Sequence, residues 1–119
     1  MSEEEKDGRP VISDDPIYQL LREGKIEEFN RRKAAGEAIQ LSGVDLRGLD
    51  LRGLDAHGID FSNTYFRQAD LRGIDFTGSN LEGASLHGAK ISGCYFPPEL
   101  RAEEIQMSVE LGTRLRYRT

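Results

Sequence analysis

From Ile39 to Pro98 the chain repeats every five residues without a gap. That period excludes both a regular helix and a long flat strand, because periods of 3.6 and 2 would each carry an apolar column around to water. Written in fives the stretch is IQLSG VDLRG LDLRG LDAHG IDFSN TYFRQ ADLRG IDFTG SNLEG ASLHG AKISG CYFPP, twelve units over sixty residues. The third position is apolar throughout: Leu41, Leu46, Leu51, Ala56, Phe61, Phe66, Leu71, Phe76, Leu81, Leu86, Ile91 and Phe96. The first is small or branched, the second is Asp in six units, and the fifth is Gly in nine of the twelve. Two inward residues on a short extended segment, followed by a residue tolerant of positive φ, describe a chain that winds and turns a corner at each repeat.

These units resemble the A(D/N)LXX pattern of the pentapeptide repeat family, with Ala69-Asp70-Leu71-Arg72-Gly73 the nearest single match. The resemblance covers about half of the chain. It implies a mainly β fold, a right-handed quadrilateral β-helix with four repeats per coil. Twelve repeats then make three coils, a column about 15 Å tall at the usual strand spacing. A solenoid this short needs both open ends covered.

The flanks read as those covers. Residues 1–13 are polar, acidic and aperiodic, which predicts a disordered N-terminal segment. Residues 14–36 read as a helical cap in two pieces, with Asp15 as N-cap, Pro16 at the first helical position and a stop at Glu23-Gly24. Ile17, Leu20 and Leu21 share one face, and Ile26 and Phe29 repeat the spacing before Arg31, Arg32 and Lys33 meet the negative helix end. The repeats occupy residues 39–98, and Pro97-Pro98 ends the winding because neither residue donates to a ladder. In residues 99–119 two readings stand together. Ile105, Met107, Val109 and Leu111 alternate as a strand of a hairpin would, whereas Pro98-Glu99, Glu103, Glu104 and Gly112 suit a short helical cap, the preferred reading.

Composition narrows the function classes. A length of 119 residues suits one domain, and a net charge of −5 argues against a nucleic-acid binder working through phosphate contacts. There is no apolar run near the length of a membrane span. MSEEEKD lacks the pattern of a signal peptide, and one cysteine fits a reducing compartment, so a cytoplasmic location is expected.

No Ser-His-Asp arrangement, phosphate loop, dinucleotide fingerprint or metal spacing is present in the sequence, and neither an enzyme nor a cofactor is expected. The six second-position aspartates lie on four separate faces and read as structural, and Cys94 reads as a packed thiol. Stacking the repeats by fours places Arg47, Arg67 and His87 in one basic stripe suited to an acidic partner. Tyr65, where Asp is usual, and Gln68, where Gly is usual, mark the least regular repeat and a candidate contact surface. Met107, Val109, Leu111, Leu115 and Tyr117 exceed what one short element needs, which predicts a homodimer joined at the C-terminal caps with Arg114, Arg116 and Arg118 at its rim. The resemblance implies the same, since family members often dimerise through that end.

Two functions follow. One is a non-enzymatic protein–protein interaction module with an unidentified protein partner and neither nucleic acid nor membrane. The other, implied by the resemblance alone, is a DNA mimic that binds gyrase and gives fluoroquinolone protection. Mimicry needs length and negative charge, whereas these repeats carry seven acids against five bases.

Overall fold

The computed structural model describes residues 11–118. Its winding is set by single parallel bridges whose partners lie twenty residues apart: Asp45 to Tyr65 to Ser85, Asp50 to Asp70 to Lys90, Asp60 to Asn80, and Asp75 to Tyr95. Each turn of the chain therefore takes four repeats. The repeats stack into four walls, named here by their first residues: a first wall (Ile39, Ile59, Ser79), a second (Val44, Thr64, Ala84), a third (Leu49, Ala69, Ala89) and a fourth (Leu54, Ile74, Cys94). Ladder bonds such as Leu46 N to Tyr65 O at 2.9 Å and Tyr65 N to Val44 O at 3.0 Å join successive coils.

The expectation of a mainly β fold needs correcting in one respect: among the described residues there are bridges but no strand, and the helices are three. The reason lies in the period. In ten of the twelve units the first-position N–H bonds back to the third-position carbonyl of the preceding unit, as Ile74 N does to Leu71 O at 3.1 Å, so a turn interrupts the wall before a second consecutive pair forms. The turn places its third residue in the left-handed region, as a type II turn demands. Gly73 sits there at φ 82°, and Gln68 takes the same conformation at φ 60° without being glycine.

Ten central-position side chains, from Leu41 to Leu86, are buried, and Ile91 and Phe96 are partly so. The middle coil is filled by aromatic rings. Phe61, Phe66 and Phe76 meet edge-on with centroids 5.3–5.9 Å apart, and Phe76 stacks on Phe96 at 6.0 Å.

Both ends of the column are covered. At the N-terminal end α1 (Pro16–Arg22) starts where Asp15 Oδ1 accepts from Ile17 N at 2.9 Å, and α2 (Ile26–Ala34) follows, with Arg31, Arg32 and Lys33 in its last turn. Ile17, Leu20, Leu21 and Phe29 join the core. So does Tyr18, whose hydroxyl donates to Asp45 O at 2.6 Å. Asn30 receives Asp55 N and donates to Gly53 O, both at 2.9 Å. Of the segment expected to be disordered, residues 1–10 lie outside the described residues, whereas residues 11–13 are engaged. Val11 bridges Val44, its N–H reaching Gly43 O and its carbonyl receiving Asp45 N. The first coil has no coil below it, and Val11 supplies the missing ladder partner on the second wall.

At the other end both sequence readings are partly realised. The preferred helix forms as α3 (Ala102–Leu111), closed by Gly112 in the left-handed conformation at φ 80°. After it the chain runs back as an antiparallel strap, with Arg114 bridging Ser85 and Leu115 exchanging bonds of 2.8 Å with Gly83 and Ala84. Ser108 Oγ, Val109 O and Tyr117 Oη accept from Leu86, Gly88 and Leu81. Without these acceptors the top coil would present unpaired backbone donors. No helix among the described residues is long and apolar enough to cross a membrane.

Candidate interaction surface

The second-position aspartates explain themselves locally. In each case an Asp oxygen accepts from the backbone N–H two residues on, as Asp45 does from Arg47 and Asp75 from Thr77, which fixes the turn. Where the fourth position is Arg, the same carboxylate also grips the guanidinium by two bonds: Asp45 with Arg47, Asp50 with Arg52, Asp70 with Arg72, all at 2.7–2.9 Å. Burial pushes the Asp45 carboxyl up, yet the Arg47 guanidinium and backbone bonds outweigh it and hold Asp45 below the usual range. The Arg72 guanidinium, against some desolvation, takes Asp70 down to about 2.

One Arg-bearing repeat breaks this pattern. In Thr64-Tyr65-Phe66-Arg67-Gln68 the second position is Tyr, so Arg67 has no carboxylate beside it. Its Nη2 instead donates to His87 Nδ1 at 2.8 Å, an acceptor only when the ring is neutral with its proton on Nε2. The strap adds a second guanidinium. Arg114 lies over the Tyr65 ring at 5.0 Å, donates to the Tyr65 hydroxyl and binds Gly83 O at 2.9 Å. Neither Arg67 nor Arg114 pairs with a carboxylate among the described residues.

The structure thus gathers the sequence candidates Arg47, Tyr65, Arg67, Gln68 and His87 on the second wall and its corner, with Gln68 N bound to His87 O at 2.8 Å. Arg47 is the exception in charge, since Asp45 neutralises it. Sequence reasoning missed Arg114 here, having placed it at a dimer rim; no local pattern connects residues 49 apart.

The candidate dimer residues are not gathered in the same way. Leu115 is fully buried in its own chain, Tyr117 accepts from Leu81 N, and Val109 packs on the core, so α3 and the strap together use three of the five internally. Met107 is partly buried and Leu111 exposed. Met107 lines a groove of about 750 Å³ beside the second wall, together with Asn63, Thr113, Arg114 and Leu115. In this groove region the buried Thr113 hydroxyl has no hydrogen-bond partner among the described residues. A larger groove of about 910 Å³ beside α2 sets Lys25, Arg31 and Arg52 against Glu27, Glu28 and Asp50 and has no uniform charge. Cys94 Sγ donates to Leu71 O at 2.9 Å, and burial raises its thiol.

No curated protein and no solved structure matches the chain. The family model for pentapeptide repeats does, with eight copies over residues 39–78 and 59–96, the stretch whose bridges repeat every twenty residues. The chain belongs to the pentapeptide repeat family.

Proposed function

We propose that this protein is a non-enzymatic protein–protein interaction module, built on a right-handed quadrilateral β-helix, and that its partner surface is the second wall. The observation that carries the reading is the pair of guanidiniums, Arg67 and Arg114, held on one wall without a carboxylate partner among the described residues, in a chain of net charge −5. Elsewhere on the column the exposed Arg52 and Arg72 are gripped by an Asp two residues back, whereas Lys90 on the third wall has no ion pair among the described residues. The twenty-residue register supports the β-helix, and the two covered ends direct contact to the walls. Internal Asp–Arg pairing and a cationic wall both run against DNA mimicry, which needs continuous negative charge.

Site-specific photocrosslinking tests this. A crosslinker at position 67 should capture a discrete protein from native lysate, whereas one at position 77 on the fourth wall should not. Equal labelling from both walls removes the module reading.

A further inference from the structure

The groove beside the second wall sharpens the kind of partner. It is continuous with the cationic stripe through Arg114, whose guanidinium lies over Tyr65 and whose residue also lines the groove. Its lining combines the partly buried Met107 with the Thr113 hydroxyl, which has no partner among the described residues. An unpaired buried hydroxyl costs free energy until a donor or acceptor reaches it. Glu82, which receives Tyr117 N at 3.3 Å, also lines the groove and repels a carboxylate there, while Arg116 in the same lining is paired with Glu104 at 3.0 Å. Charge and apolarity are therefore divided between adjoining places: acids belong over Arg67 and Arg114, and an uncharged apolar side chain belongs beside Met107.

Resting on the interaction-module reading, we propose that the second wall docks a linear peptide segment of a partner protein carrying at least two acidic residues next to one apolar residue. The carboxylates meet Arg67 and Arg114 as bidentate acceptors. The apolar side chain seats beside Met107, and a polar group next to it satisfies Thr113. A nucleic acid is the poorer fit, because two guanidiniums beside an apolar groove neutralise few phosphates and phosphates give the groove nothing to bury.

The test is fluorescence anisotropy of the full chain with a fluorescein-labelled, glutamate-rich octapeptide containing one leucine. Binding should weaken with added salt. It should fall about tenfold when the leucine becomes serine, and about tenfold in Arg67→Glu, Arg67→Glu/Arg114→Glu and Met107→Glu proteins. Arg67→Glu alone keeps the test valid if the double change loosens the strap, since the Arg67 side chain bonds only the His87 ring among the described residues. The proposal is overturned by equal affinity in the Arg67→Glu protein, by indifference to the leucine, or by displacement with a single-stranded oligonucleotide. It is overturned equally by binding seen only after residues 1–8 are removed, which would give the stripe to the chain's own Glu3-Glu4-Glu5. Failure of the peptide while crosslinking stays confined to position 67 removes this segment chemistry and leaves the module reading standing.

Discussion

The second and third walls share a backbone and differ in what they show to solvent. Both are stitched by bridges twenty residues apart, and both carry Arg at the fourth position of their middle repeat, Arg67 on one and Arg72 on the other. On the third wall Arg72 is chelated by Asp70, and Arg52 by Asp50 with a further contact of 3.4 Å to Asp70, so these four neutralise one another and Lys90 is left without an ion pair among the described residues. On the second wall one exchange, Tyr65 in place of Asp, leaves Arg67 without a carboxylate partner among the described residues and provides the ring on which Arg114 lies. Whether a repeat's own Arg is chelated is thus decided by the residue two places before it.

The comparison assumes that one core positions both walls, and Phe76→Ala tests that most severely. Phe76 touches Phe61, Phe66 and Phe96, so the truncation should cost about 3–5 kcal/mol and loosen both walls together. Urea denaturation measures it, and a cost below about 1 kcal/mol would mean the walls are held independently.

Next come the corners, where the sequence suggests a difference that the backbone does not have. Gly73 ends a third-wall repeat at φ 82° and Gln68 a second-wall repeat at φ 60°. Gly73→Val should destabilise by about 1–3 kcal/mol, because a β-branched residue is strained there. Gln68→Gly should stabilise by up to about 1 kcal/mol, since it relieves the same strain. A thermal-shift comparison in which Gln68→Gly clearly destabilises would show that this side chain contributes more than its backbone costs.

Acid should separate the walls more gently. Asp70 has a folded-state pKa of about 2, below the ordinary value of 3.8, so its contribution is complete above the unfolded value and is lost as pH falls through the folded one. Arg72→Gln should return Asp70 toward the ordinary value and flatten that part of the stability profile between about pH 4 and 2. Carboxyl titration by NMR reads the site directly; an unmoved Asp70 in the variant would assign the depression to something other than Arg72.

The smallest effect is expected from making the walls alike. Tyr65→Asp recreates the Asp-X-Arg unit, and stability should change by no more than about 1 kcal/mol, as gained pairing offsets the lost ring beneath Arg114. The readout is Arg67 Nε–H exchange, which should slow to that of Arg72. If Arg67 stays as fast as before, the second position does not govern charge exposure.

Much of this was legible in the residues because it is local. The five-residue period fixed which side chains turn inward, from Leu41 to Phe96, and the four repeats per coil implied by the family resemblance placed Arg47, Arg67 and His87 in one column. Asp15, Pro16 and Gly24 marked the first helix, because capping acts over two or three residues. What needed the tertiary structure depends on partners far apart along the chain. Val11 gains order only from the first coil's open edge at Val44. The alternation of Ile105, Met107, Val109 and Leu111 gave way to α3 because the third coil offers Ser108 and Val109 the Leu86 and Gly88 donors. Leu115 and Tyr117 were consumed by their own column, and Arg114 reached Tyr65, because the strap found an unpaired edge at Gly83 and Ala84. The sequence by itself determined the repeat, its inward face and its caps through near-neighbour geometry. Which charges remained unpaired on the wall was decided only in three dimensions, where backbone edges without partners drew distant segments onto them.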